Sequence, residues 1–323
     1  MAARSRPPAS ISVVTPTLRR SAEVGGLLAN LAQQTVPPSE LLVVDGAPSE
    51  DRSTEEVVAA AAPTMPFACR YLRQSGGTAV QRNAGIDRAE GEYIAFVDDD
   101  IRLEADFFGR ILAVFEGDAA RRVGGIVGCR VNQHFTPGSA VRWRWYRRLG
   151  LLKTFQPGRY DFACGYPINA NLQPPFHGVR EVDFMTTSCA VWRREVMDAG
   201  LRFDPFFRDY GMLEDAHFSL TAGRRWTLLQ CGDARCVHQH ASSGRSDPRT
   251  IGEKCVVNYY YVFNQVARPL SVAQQVRFWR FQMFELLRVA ASGIRRRRGS
   301  DFQELRGRLD GILAVARHRG AWS

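Results

Sequence analysis

Tyr93-Ile94-Ala95-Phe96-Val97-Asp98-Asp99-Asp100 decides how this chain is to be read. Its first five residues are an apolar, β-favouring run of strand length. The run stops at three consecutive aspartates. Like charges that close repel, and a strand end has no helix dipole to offset them. A divalent cation would relieve the repulsion. Carboxylates are the hard oxygen ligands that Mg²⁺ and Mn²⁺ take, and diphosphate oxygens would complete the shell. A helix cap is the competing reading, with Asp99 or Asp100 opening a helix over 104–116. One aspartate would serve a cap, so three favour the metal.

On either side, short apolar runs alternate with helical spacing. Ile11–Thr15 is a strand stopped by Pro16, and residues 22–34 have helical spacing. Leu41–Val44 is a second strand, closed by Asp45-Gly46 and followed by a helix near 51–61. Phe67–Leu72, a helix over 78–89, the Tyr93 run, the helix over 104–116 and a strand over 123–131 continue the series. Such alternation predicts βαβ units in an α/β protein, with a mostly parallel sheet flanked by helices. Ligands of such sheets bind beyond the carboxyl ends of the strands. Thr15-Pro16-Thr17, Asp45-Gly46 and the acidic triplet lie just past three of those ends and point polar groups at one crevice.

Residues 132–183 are less regular, and periodicity returns over 183–200. A helix over 214–223 follows Glu214-Asp215, strands are expected near 226–230 and 235–238, and the pattern is helical from about 249. These divisions predict a disordered tail over 1–9, a domain over 10–265 made of two halves, 10–131 and 132–265, and a C-terminal helical extension over 266–323; the resemblance described below makes the first the donor half and the second the acceptor half.

The chain has 323 residues, 45% of them hydrophobic, enough for a full core. Its seven cysteines are scattered and read as reduced, buried thiols, not as a zinc site. The N-terminus lacks the apolar run of a signal peptide, and no stretch approaches the ~18 continuous apolar residues of a spanning helix. The expected location is the cytoplasm, extending to the inner face of the membrane.

The net charge of +10 is uneven. Residues 139–160 contain Arg142, Arg144, Arg147, Arg148, Lys153 and Arg159 with no acid, and residues 277–319 hold eleven arginines against four acids. Such clusters attract polyanions. Phe278, Trp279, Phe281, Met283, Phe284, Leu286 and Leu287 give residues 277–294 a broad apolar arc, and Arg295–Arg298 follow. The segment 277–298 either packs on the catalytic domain or a dimer partner, or lies on an anionic membrane surface.

Val13-Val14-Thr15-Pro16-Thr17, Val43-Val44-Asp45-Gly46, Arg82-Asn83-Ala84-Gly85, Phe96-Val97-Asp98-Asp99-Asp100, Glu214-Asp215 and Val237-His238 occur in one order. In that order and approximate spacing the chain resembles family 2 glycosyltransferases over about residues 10–265. The resemblance implies inverting enzymes of the GT-A fold, a Rossmann-like, mostly parallel sheet flanked by helices. It implies that Thr15, Pro16 and Thr17 line the nucleotide, with Asp45 bonding the base. Arg82 would reach the donor near its diphosphate. Asp98 would contact the ribose or the metal, and Asp99 belongs to the same donor wall unless it caps the next helix. Asp100 would ligate Mg²⁺ or Mn²⁺, assisted by His238, and Asp215 would be the general base. Glu214, Thr186, Thr187 and Ser188 would lie on the acceptor side.

The implied donor is a nucleotide sugar, a UDP-sugar by preference and a GDP- or dTDP-sugar otherwise. The acceptor would be a glycan or a lipid-linked hydroxyl compound, as in polysaccharide, glycolipid or cell-surface glycan synthesis.

Several of these residues have other readings. Asp45-Gly46 makes a turn, and Glu214-Asp215 suits the first turn of a helix. His238 and His240 alternate on a strand, so only one should reach the site. A nucleotidyltransferase of related fold is an alternative, but neither Gly25-Gly26 nor Gly76-Gly77 supplies a phosphate-gripping segment with a basic residue. A polyanion-binding protein without catalysis is another. Nucleic acid is not the expected partner, because the aspartates would repel its phosphates.

Overall fold

The structure, a computed structural model, describes residues 10–133, 137–170, 174–207, 211–240 and 247–317. The tail expected over 1–9 lies outside them. β-Branched and apolar runs form strands here because they fit a pleated surface covered on both sides. In the first half β1 (Ile11–Thr17), α1 (Ser21–Ala32), β2 (Glu40–Asp45), α2 (Ser53–Ala61), β3 (Ala68–Arg73), α3 (Thr78–Ile86) and β4 (Tyr93–Val97) alternate as expected. These four strands lie in the order β3-β2-β1-β4, all parallel. Every residue of β1, β2 and β4 is buried, while edge strand β3 is partly exposed.

A three-residue strand, β5 (Ile101–Leu103), follows the acidic triplet and is too short to show a pattern in sequence. The next helix, α4 (Phe107–Gly117), therefore starts later than expected, with Asp106 at its N-cap. Neither Asp99 nor Asp100 caps it, so the cap reading of the triplet is overturned.

The second half contains β6 (Val123–Arg130), α5 (Pro137–Arg148), a hairpin of β7 (Tyr160–Asp161) and β8 (Tyr166–Pro167), and β9 (Val179–Val182). It continues through β10 (Cys189–Arg193), α6 (Arg194–Asp198), α7 (Glu214–Ala222) and β11 (Thr227–His238). β10 inserts between β4 and β6 and runs antiparallel to both. This insertion sets Ser188 beside the triplet, where the Asp98 amide donates to the Ser188 carbonyl at 3.2 Å. The two strands expected near 226–230 and 235–238 are one strand, β11. Its register against β6 shifts between Gln230 and Arg235, an irregularity that absorbs the turn-like Gly232-Asp233.

Helix α3 sits across the carboxyl ends of β1 and β2. The Gln81 amide donates to the Thr17 and Val44 carbonyls, both at 2.8 Å. Asn83 exchanges two hydrogen bonds of 2.8 Å with the backbone of Phe203. Gly85 brings the helix close to β1, since a Cβ there would strike the Val14 side chain.

Three long helices end the described chain: α8 (Pro248–Val266), α9 (Val272–Arg296) and α10 (Gly299–Arg317). Asp247 caps α8, and a capping box of Ser271 and Gln274 opens α9. α10 lies against α8 at glycine distance, because a Cβ at Gly252 or Gly307 would meet the opposing backbone. One face of α9, with Phe278, Phe281, Glu285 and Val289, is buried. Phe281 joins a small second core with Tyr146, Leu151, Leu152, Cys164 and Ile168. The Tyr146 hydroxyl donates to Glu285 at 2.6 Å, and Arg288 grips both Glu285 oxygens. This face of 277–298 thus packs on the body of the protein.

Gly85→Ala is expected to lower stability by about 1–3 kcal/mol, although alanine favours helix over glycine. Combined with Val14→Ala, the loss should be smaller than the two single losses summed. Urea denaturation of the four proteins measures it, and strict additivity would refute the contact.

Candidate functional site

The three aspartates after β4 have three different sets of partners. Asp99 is only 2% exposed and accepts from the Thr17 hydroxyl at 2.7 Å and from Arg20 at 2.9 Å. Burial pushes it up to about 6 in spite of those donors. It ties β4 to β1, and both its oxygens are engaged. Asp100 turns to β11, with Oδ1 3.1 Å from His238 Nε2 and Oδ2 3.8 Å from Arg20. Asp98 is more open and accepts from Arg82 at 3.1 Å.

Arg82 is the link between the two halves. Its guanidinium is buried, and its other terminal nitrogen donates to Glu214 Oε1 at 2.9 Å. A buried cation is tolerated only where carboxylates neutralise it, and here one comes from each half of the chain. Glu214 also faces the Thr78 hydroxyl at 3.4 Å. Two backbone features bring it there. Leu213, just before α7, has φ +69°, a left-handed conformation costly for leucine. Gly211 leaves room, since a Cβ there would lie 2.5 to 2.7 Å from the Glu214 carboxyl atoms.

Asp215 is half-buried at the start of α7 and accepts from the Ala216 amide at 2.7 Å. Burial, and then the charge of Glu214, pushes it up to about 7, against the pull of Arg82 and Arg130. Ionising it therefore costs stability as pH rises from the ordinary carboxylate value of 3.8 towards 7. A carboxylate poised near neutral pH suits general-base work.

The remaining expected residues are placed unequally. Thr15 and Pro16 are buried within β1, and the Thr15 hydroxyl finds no hydrogen-bond partner among the described residues. Asp45 is fully buried. It accepts from the Ala47 amide at 2.9 Å and the Tyr71 hydroxyl at 3.1 Å, which makes the turn expected of Asp-Gly. Thr187 and Ser188 are buried, and the Thr186 and Ser188 hydroxyls stand 3.5 Å apart.

The two histidines correct an expectation. β11 ends at His238, and His240 has φ +57°, so strand alternation stops between them. Their rings lie 4.0 Å apart on one side, and the Gln133 amide nitrogen touches both, at 3.0 and 2.9 Å.

Among the described residues no group of three or more His, Cys, Asp or Glu side chains converges on one point. The Asp100–His238 pair offers two ligands. That fits Mg²⁺ or Mn²⁺, which keep several waters and share their shell with substrate phosphates. Asp98 is engaged by Arg82 instead.

Arg20, Gln81 and Gln133 are not among the expected residues, and His240 was expected to face away from His238. Arg20 and Gln81 carried a signal, standing beside the first strand end and the Arg82 motif. Gln133 and His240 carried none, because a turn outside any pattern brings them in.

A family model described as "Glycosyl transferase family 2" matches residues 12–198, more than half of the chain. The succinoglycan biosynthesis protein ExoM of Rhizobium meliloti is 29% identical over 167 residues, 50% of this chain and 51% of that protein. The chain spans between a third and just over half of the length of the curated relatives it matches. Among solved structures, Staphylococcus aureus TarS 1–349 in complex with UDP has TM-score 0.51 and 19% identity, covering 84% of this chain and 70% of that one. The mannosyltransferase PcManGT of Pyrobaculum calidifontis, in complex with GDP-Man and Mn²⁺, has TM-score 0.55 and 14% identity, covering 96% and 75%. At these identities the likeness shows the fold, which is the expected GT-A fold with helices at the C-terminus.

Arg82→Met should cost about 3–5 kcal/mol, because it leaves Glu214 buried without its counter-charge. The double variant with Glu214→Gln should recover part of that loss in chemical denaturation. No recovery would remove the pair from its structural role.

Proposed function

Because the chain belongs to glycosyl transferase family 2, we propose that it is an inverting, metal-dependent glycosyltransferase that moves a sugar from a nucleotide-sugar donor to an acceptor hydroxyl. The observation that carries the reading is the Arg82 bridge. It holds donor-side Asp98 and acceptor-side Glu214 on one guanidinium, next to an Asp215 poised near 7.

In this reading Asp215 removes the acceptor hydroxyl proton. The acceptor oxygen then forms its bond to the anomeric carbon as the bond to the nucleoside diphosphate breaks on the opposite face. One in-line displacement inverts the centre and needs no covalent nucleophile. Asp100 and His238 would hold Mg²⁺ or Mn²⁺, which offsets charge on the departing diphosphate. Arg82 orients Asp98 towards the donor, and Arg20 holds Asp99 and Thr17 as a rigid wall. Thr15, Pro16 and Asp45 back the nucleotide base from behind. Thr186, Thr187, Ser188 and Glu214 border the acceptor.

A UDP-sugar is the first candidate donor, with GDP- and dTDP-sugars next. The bound UDP of TarS and GDP-Man of PcManGT support this range, and the Mn²⁺ of PcManGT supports the metal. The succinoglycan biosynthesis of ExoM supports an acceptor in polysaccharide synthesis.

UDP should raise the melting temperature only with Mn²⁺ or Mg²⁺ present, and Asp100→Ala should abolish that metal-dependent shift. An unchanged shift would remove Asp100 from the metal site. Asp215→Asn should keep the shift and lose transfer by at least about 100-fold, the scale of general-base catalysis. Full transfer in that variant would exclude Asp215 as base.

For the parent protein, kcat/KM should rise with pH and level off above about 7, as Asp215 loses its proton. Glu214→Gln removes a neighbouring negative charge and should move that limb to lower pH. An unmoved limb in the residual activity would assign it to another group.

A further inference from the structure

Helix α9 has a second apolar face besides the one it buries. Val272, Val276, Met283, Leu287 and Ile294 recur at intervals of four and seven residues, so they share one side of the helix. All five are exposed, Val272, Leu287 and Ile294 to 78%, 63% and 71%. The stripe is roughly 33 Å long at the rise of an α-helix. Phe302, Leu309 and Leu313 form a matching exposed stripe on α10. The two helices join where Phe302 lies against Gly293 and the Ser292 hydroxyl donates to Asp301 at 2.9 Å. Large exposed apolar faces of this kind mark interaction sites.

The exposed charges around the face are predominantly positive. Arg280, Arg295, Arg296, Arg297, Arg298 and Arg306 are all exposed. Every acid of the two helices is already engaged. Glu285 is held by Arg288, Asp301 by Ser292, Glu304 by Arg308 and Asp310 by Arg249. No helix among the described residues is long and apolar enough to cross a membrane. A second copy of the chain would bring its own arginine cluster to two helices on which, among the described residues, Asp301 is the one carboxylate without an arginine partner. An anionic surface with an apolar interior satisfies both the stripe and the arginines.

We infer that the outer face of α9 and α10 docks the protein flat on an anionic lipid bilayer. Met283, Leu287 and Ile294 enter the acyl boundary, and Arg295–Arg298 lie among the phosphates. The inference goes beyond the proposed transfer activity and does not depend on it, since docking is read without any donor.

The test is co-sedimentation of the full chain with vesicles of phosphatidylcholine alone or mixed with phosphatidylglycerol. Binding is expected to the mixed vesicles only and should weaken with salt. Replacing Arg295, Arg296 and Arg298 by Gln should weaken it about fivefold per arginine. Met283→Asp with Leu287→Asp should abolish it. Those positions are exposed, so the parent melting transition should persist, and the arginine variant gives an independent arm.

Failure to bind mixed vesicles, equal binding to both vesicle types, or undiminished binding of the Asp variant would each overturn the inference. So would a dimer in light scattering that Leu287→Asp dissociates, since a second copy would then be the occupant. A bare vesicle result would leave metal-dependent UDP binding untouched, so the two readings fail separately.

Discussion

A guanidinium taken out of water must meet its counter-charges inside the protein, and Arg82 meets two from distant parts of the chain. Much of the site's architecture is what holds that arrangement in place. Gln81 pins α3 to the carbonyls of β1 and β2, and Asn83 clamps Phe203. Gly85 lets the helix approach β1, Gly211 clears space for Glu214, and Leu213 accepts a costly left-handed conformation so that α7 begins where Arg82 can reach it. The first and second halves of the chain are joined by one charge network, and disturbing either side disturbs the other.

The triplet shows how a single acidic run is divided by its surroundings. Asp99 is spent on structure, Asp100 faces His238, and Asp98 leans on Arg82. Three adjacent carboxylates thus avoid mutual repulsion by taking three separate partners. Asp215 is tuned in the opposite sense. Its burial and the nearby Glu214 charge resist ionisation, which keeps it basic enough to take a proton near neutral pH. The same charge that anchors Arg82 also raises Asp215.

The C-terminal helices do two jobs with two faces. The inner face of α9 completes a small core and balances Glu285 against Arg288 and Tyr146. α8 also steadies the loop before α7, where the Asn258 amide donates to the Met212 carbonyl at 2.9 Å. The outer apolar stripe of α9 stays exposed among the described residues. That contrast on one helix is why the broad apolar arc of 277–294 had two readings in sequence, and its inner face answers to the packed one.

The sequence by itself determined the α/β class, the parallel strands β1 to β4, the ordered motifs and the family. Each is a short-range signal: an apolar run, a turn residue, a charge at a strand end. It also put Asp100 forward by type and position, and Asp215 and His238 through the resemblance to the family. Tertiary structure alone decided the insertion of antiparallel β10, the fusion of two expected strands into β11 and the pairing of Arg82 with Glu214 across 132 residues. It also turned His240 to the side of His238 through one positive φ, and it brought the Tyr71 hydroxyl onto Asp45. The reason is physical. Periodicity reports which face of a segment is apolar, whereas long-range partners are chosen by which packing satisfies every buried charge and hydrogen bond at once.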